Sequence, residues 1–243
     1  MKPGSFMSFL SAAHHAFSFL TRLPLPQWKW LRNDPESLLR SVIWYPLVGA
    51  LYGGLALVIA MPAMALGVDT RVLAVVLLAA PLVMNRFLHF DGLCDCADAF
   101  LADKAPEDRL AIMKDSRIGS FALGVGALVL LGRYGIVQGV LEQGRQACIA
   151  FFLVPVVARW TMGPLAWKAA YPRAKGTGGF LVGKVGPGIL AGSTVVLCLV
   201  ACTALALAGS PFLVAAVLFF LGALGISLMV AVLLRLWSTS KIG

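Results

Sequence analysis

Apolar residues fill this chain in long runs separated by short polar stretches, and the lengths of the runs set the architecture. Six runs, approximately 43–66, 72–90, 119–141, 147–167, 188–208 and 212–236, each come near the 20 residues that cross a bilayer as a helix. The second is the weakest, because Arg71 and Arg86 bracket a short run that holds Pro81. Ahead of them Phe6, Phe9, Leu10, Ala13, Phe17 and Leu20 recur at helical spacing, with Ser5, Ser8, Ser11, His14, His15 and Ser18 on an imperfectly polar side. That pattern predicts an interfacial or partly embedded helix, ended by Leu23-Pro24-Leu25-Pro26. The His14-His15 pair reads as interfacial rather than metal-binding, and Trp28 and Trp30 suit the headgroup level. The expected fold is all-α: a polytopic integral membrane bundle of about six spans plus the N-terminal helix, one domain over 1–243.

Composition strengthens the membrane reading. The chain is 60% hydrophobic and 13% charged, with a mean hydropathy of +0.88, whereas soluble domains carry roughly 25% charge. No small-residue cleavage site follows a compact apolar core behind Met1-Lys2, so no cleaved signal peptide is expected. Cys148, Cys198 and Cys202 fall in apolar runs as small hydrophobes, and with Cys94 and Cys96 the count of five implies no disulfide framework.

The net charge of +9 is spread over several loops instead of one patch, which argues against nucleic acid. Its distribution does bear on topology. Seventeen of the 20 basic residues fall in the N-terminal segment, the loops after spans two and four, and the C-terminus; the opposite side holds Arg71, Arg133 and Arg145. The positive-inside rule then puts the N-terminus and both loops, about 86–118 and 168–187, in the cytoplasm. These loops are too short to fold alone, so a site must be built on the membrane face of the bundle.

The acidic residues are not spread. Seven of the eleven lie between Asp91 and Asp115. Asp91, Asp95 and Asp98 stand at i, i+4 and i+7, so a helix puts all three on one face, where they repel unless a cation sits among them. Hard carboxylate oxygens suit Mg2+, Mn2+ or Ca2+, against the plain alternative of a solvated acidic face. Gly92 lets the backbone approach a ligand closely or break the helix. Downstream, in Lys114-Asp115-Ser116-Arg117-Ile118-Gly119, Asp115 or Ser116 can cap the next helix, or Asp115 can add a fourth oxygen while Lys114 and Arg117 grip phosphate. Zinc on His89, Cys94 and Cys96 is disfavoured, since the spacing is too tight for the usual ligand pairs.

The second element is Tyr171-Pro172-Arg173-Ala174-Lys175-Gly176-Thr177-Gly178-Gly179, followed by Gly183-Lys184. Glycines interleaved with Arg and Lys can offer backbone N–H groups and cations to phosphate, or can simply be a flexible basic loop. The spacing is not that of a Walker A loop. Carboxylates for metal with basic groups opposite are what phosphoryl transfer requires, and His89 can act as a base or orient Asp91.

At these residues the chain resembles the cobalamin synthase (adenosylcobinamide-GDP ribazoletransferase) family. The pattern H-x-D-G-L-x-D-x-x-D stands here as His89 to Asp98, and I-M-[KR]-D-S-R-[IL]-G as Ile112 to Gly119. Phe19-Leu20-Thr21-Arg22-Leu23-Pro24, Tyr45-Pro46-Leu47-Val48-Gly49, Arg159 and the Tyr171–Gly178 loop are also similar to the family's. Cys94, Cys96, Lys175 and Thr177 depart from it. The family pattern also runs past Lys241-Ile242-Gly243 into a G-x-T-G-D-x-L-G-A segment and a further span, which this sequence does not include.

The resemblance implies a multi-pass enzyme of the bacterial inner membrane, dependent on Mg2+. It implies transfer of adenosylcobinamide phosphate from adenosylcobinamide-GDP to alpha-ribazole or its 5'-phosphate, with release of GMP. Asp91, Asp95, Asp98 and Asp115 are the implied metal ligands and His89 the base. Lys114, Ser116, Arg117, Arg159, Arg173 and Lys184 are the implied phosphate contacts. The expected partners are these substrates and lipid, with self-association or association with other cobalamin-assembly enzymes left open. Two rival readings fit less well. A CDP-alcohol phosphotransferase needs an Ala-Arg that is missing after Asp91-Gly92, and a cation transporter needs acidic residues across the spans.

Overall fold

A computed structural model describes residues 3–102, 105–171, 176, 178–208, 217, 221, 222, 224–226, 228, 229 and 232. Every regular element among them is helical. In chain order α1 (Pro3–Leu20) and α2 (Pro35–Arg40) lead through a 3-10 turn (Ser41–Trp44) into α3 (Tyr45–Ala65). Then come α4 (Thr70–Met84), α5 (Leu88–Leu101), α6 (Pro106–Ile112) and α7 (Ser120–Glu142). The last are α8 (Ile149–Trp160), α9 (Met162–Ala166) and α10 (Pro187–Ala208).

The stretches Pro35–Ala65, Ser120–Glu142, Ile149–Ala166 and Pro187–Leu207 are long and apolar enough to cross a membrane, which makes this a helical membrane bundle. The expected second span is not one helix. α4 and α5 meet at 88°, and the corner falls at Arg86 and Phe87, which both take left-handed backbone (φ 50° and 60°). Two such residues in succession, neither of them glycine, end a helix sharply. Gly92 lies within continuous helix, so of its two readings the helix break does not hold. The sixth expected span, 212–236, falls largely outside the described residues.

Packing groups the chain into two compact units. The first takes residues 1–58 and 148–241 with 243. Its core joins Val156, Val157, Trp160 and Leu197, on which Phe152, Leu224 and Leu228 pack, to Leu153, Ala201 and Leu205, which Val217 covers. α1 is tied down by its histidines. His14 Nε2 lies 3.0 Å from the Pro26 carbonyl oxygen and His15 Nε2 2.7 Å from that of Arg32. Both rings are about nine-tenths buried, at 8% exposure. They fasten the 21–34 segment to α1. Trp28 stacks on Trp30 at 5.1 Å and remains half-exposed.

The second unit, 59–147 with 242, is built from the end of α3 and from α4 to α7. Here α7 packs on both α4 and α5.

Candidate functional site

The acidic stretch is the body of α5. One face of this helix is made for α7: Phe90 and Cys94 sit against Gly126, where an added Cβ would stand 3.0 Å from Phe90 Cζ. The Cys94 thiol points at the Ala122 carbonyl, with Sγ at 3.8 Å. At about 100° per residue, Asp98 falls at the edge of that face, Asp91 about 20° further round and Asp95 about 60° further. The three carboxylates thus form one stripe beside the α7 contact, and the fields of all three reach Cys94. Asp91 is exposed, and no hydrogen bond or ion pair holds its carboxylate among the described residues; Asp95 and Asp98 are half-buried.

Asp98 makes a contact that local spacing did not reveal. Its Oδ2 accepts the Gly119 N–H at 2.7 Å and its Oδ1 the Ala122 N–H at 2.9 Å. The first N–H groups of a helix have no partner within it. Gly119, the N-cap of α7, has no side chain to supply one. The cap therefore comes from α5. The sequence offered Asp115 or Ser116 as the cap, beside a ligand reading of Asp115; the cap comes from neither, and Asp115 turns to its own neighbour. The Asp115 carboxylate accepts the Arg117 backbone N–H at 3.0 Å, and Arg117 Nε–H lies 3.0 Å from both its oxygens.

This pairing holds the Asp115 carboxyl at about 2, below the usual 3.8, chiefly through the hydrogen bonds from the Arg117 side chain and backbone. A depressed carboxylate pKa contributes stability above the unfolded value and loses it as pH falls through the folded one. The turn is therefore expected to stay closed at pH 5 and to open only between about pH 4 and pH 2. Carboxyl-carbon NMR titration of Asp115 reads this directly, and an ordinary midpoint near 3.8 would contradict it.

The expected metal set Asp91, Asp95, Asp98 and Asp115 is not gathered as a finished cage. Among the described residues no three His, Cys, Asp or Glu side chains converge on one point. Asp91 and Asp95, one turn apart on α5, are the neighbouring pair whose hard oxygens fit a divalent cation. Gly92 borders them with open space, since a Cβ there would meet nothing within 4 Å. His89 is exposed in the first turn of α5, about 160° around the helix from Asp91. Lys114, Ser116 and Arg117 are exposed on the turn before α7.

The remaining basic candidates belong to the first unit. Arg159 lies over the Tyr52 ring, 4.2 Å from its centroid, and the Tyr52 hydroxyl donates to the Leu20 carbonyl at 2.8 Å. Arg173 falls outside the described residues. Lys184 is exposed on a folded turn rather than a flexible loop. Gly183 there has a φ of 78° and donates its N–H to the Ala166 carbonyl at 2.8 Å, while Leu181 and Val185 are buried. The Tyr171 ring lies along Gly178 and Gly179, where an added Cβ would come within 3.2 Å of it.

Comparison with known proteins agrees with the acidic signature. A curated adenosylcobinamide-GDP ribazoletransferase from Syntrophobacter fumaroxidans is 37% identical over 163 residues, 66% of this chain and 64% of that protein. One from Brucella anthropi is 34% identical over 169 residues, 69% of this chain and 64% of that protein. One from Desulfitobacterium hafniense is 35% identical over 164 residues, 67% and 63% respectively. The matched region thus spans under two thirds of each relative. No solved structure matches. The family described as cobalamin-5-phosphate synthase matches residues 12–243, nearly the whole sequence, and to that family this chain belongs.

Proposed function

We propose that the chain carries out the reaction its relatives are named for, joining the cobinamide phosphate of adenosylcobinamide-GDP to alpha-ribazole or its 5'-phosphate. The observation that carries this reading is the Asp91–Asp95 pair on α5, beside an α7 whose preceding turn bears Lys114 and Arg117. A bond forms from the ribazole hydroxyl oxygen to the cobinamide-linked phosphorus, the bond to the GMP oxygen breaks, and GMP leaves with those electrons. Mg2+ held by Asp91 and Asp95 would neutralise pyrophosphate charge and stabilise the leaving oxygen.

The chain's own residues do the rest. Lys114, Ser116 and Arg117 meet phosphate oxygens from the turn. His89, exposed in the first turn of α5, takes the hydroxyl proton from ribazole. The distribution of basic residues supports an inner membrane orientation with this face in the cytoplasm.

The test is GMP release in proteoliposomes supplied with adenosylcobinamide-GDP, alpha-ribazole and Mg2+. Release that requires both ribazole and Mg2+ is expected. Silence from this chain, and from a form extended to the relatives' full length, would refute the reading.

A further inference from the structure

We propose that Asp98 is a positioning residue and not a metal ligand. From α5 it caps the N-terminus of α7, and so sets the Asp115–Arg117 turn against the Asp91–Asp95 pair. The inference rests on the reading above for what the pair does, and on geometry alone for the cap.

Both Asp98 oxygens are engaged, each by a different N–H of the same helix start. A carboxylate at this end also meets the positive pole of the helix dipole, so its charge is offset without any cation. Turning it toward a metal would leave two α7 N–H groups without a partner. Asp91 carries no such obligation. Its carboxylate is exposed in the first turn of α5, on the same stripe but about two turns before the cap.

Gly119 supplies the independent observation. A Cβ on this residue would stand 2.7 Å from Asp98 Cγ and 2.8 Å from Oδ2. The backbone φ of −89° is open to any residue, so glycine is not needed there for conformation. It is needed for the approach of Asp98. Any side chain at 119 would push the carboxylate off the helix end, which makes Gly119 the second half of the device.

Cys94 reports on the junction. One turn before Asp98, its half-buried thiol lies against the Ala122 carbonyl and Gly126, within the seam that the cap closes. Loss of a cap costs about 0.5–2 kcal/mol, which corresponds to roughly 2- to 30-fold more opening at that helix end.

The experiment uses the full chain in detergent, in a Cys96→Ala background, with two readouts. The first is the rate of Cys94 alkylation, resolved by peptide mass spectrometry. The second is the affinity for Mn2+ alone, followed by electron paramagnetic resonance. Asp98→Ala and Gly119→Ala are both expected to raise Cys94 alkylation about tenfold and to leave Mn2+ affinity within about threefold. Asp91→Asn should weaken Mn2+ more than about tenfold and raise alkylation by no more than the loss of its field at Cys94 allows, which sets the baseline for the charge lost in Asp98→Ala. Asp98→Asn keeps an oxygen that can accept one of the two N–H groups, and should restore part of the protection.

An Asp98→Ala protein that loses Mn2+ as Asp91→Asn does would overturn the proposal. So would a Gly119→Ala protein whose Cys94 reacts at the parental rate. If the parent chain binds no Mn2+, the metal reading of the Asp91–Asp95 pair fails, and the alkylation rates still decide the cap.

Discussion

Asp91→Asn is expected to reduce ribazole-dependent GMP release by more than about 100-fold, since even the outer-shell partners of a metal cost 10- to 100-fold when removed. The same change should barely alter folding. Asp91 is exposed, and its carboxylate has no partner among the described residues that the substitution would strand. What it gives the fold is a negative charge in the first turn of α5, a favourable interaction with the helix dipole of about 0.3–1 kcal/mol. A stable but silent protein is therefore the specific signature of a group that acts on substrate. The measurement pairs the release assay with thermal unfolding in the same detergent. Asp69→Asn is the charge-matched control: Asp69 caps α4 by accepting the Arg71 N–H at 2.8 Å, and Asn caps equally well. That control should keep both activity and stability. An Asp91→Asn protein that retains release within a few-fold would remove Asp91 from the chemistry.

What could be read from the sequence follows from the range of the interactions involved. The carboxylate stripe was legible because a 4-then-3 spacing within one helix is a local property, and α5 is continuous over it. The spans were legible because apolar length is local too. The 88° corner was not: Pro81 hinted at weakness, but Arg86 and Phe87 carry no sequence sign of left-handed backbone. The nearest polar residues, Asp115 and Ser116, were the local candidates for the α7 cap. The true acceptor, Asp98, lies 21 positions before Gly119. The one available clue was a helix start with glycine where Ser, Thr, Asp or Asn usually stands. The carbonyl partners of His14 and His15, at Pro26 and Arg32, were hidden in the same way, 12 and 17 residues off. Composition shows that Asp98 can ligate a metal, but not that it also meets the Gly119 and Ala122 N–H groups.

Gly49→Ala is expected to cost the first unit more than its one added methyl suggests. Gly49 and Gly53 sit four apart on α3, the small-xxx-small pattern by which membrane helices approach closely. A Cβ at Gly49 would stand 2.5 Å from Val156 Cα and 2.7 Å from the Pro155 carbonyl carbon, and one at Gly53 would stand 2.6 Å from Phe152 Cα. These neighbours are backbone, so no rotamer change relieves the clash and α3 must move away from α8. Overpacking of this kind typically costs about 1–3 kcal/mol. The same helix pair carries Tyr52, between the two glycines, with Arg159 at 4.2 Å over its ring. Separation should therefore also dislodge Arg159, and release activity should fall together with thermal stability. Gly54 is the neighbouring control. A Cβ there meets nothing within 4 Å, so Gly54→Ala should be neutral, or stabilising by about 0.5–1 kcal/mol through helix propensity. Unfolding temperatures of the two variants in one detergent would test this. Equal stability of Gly49→Ala and Gly54→Ala would mean that the α3–α8 backbone contact does not hold the first unit together.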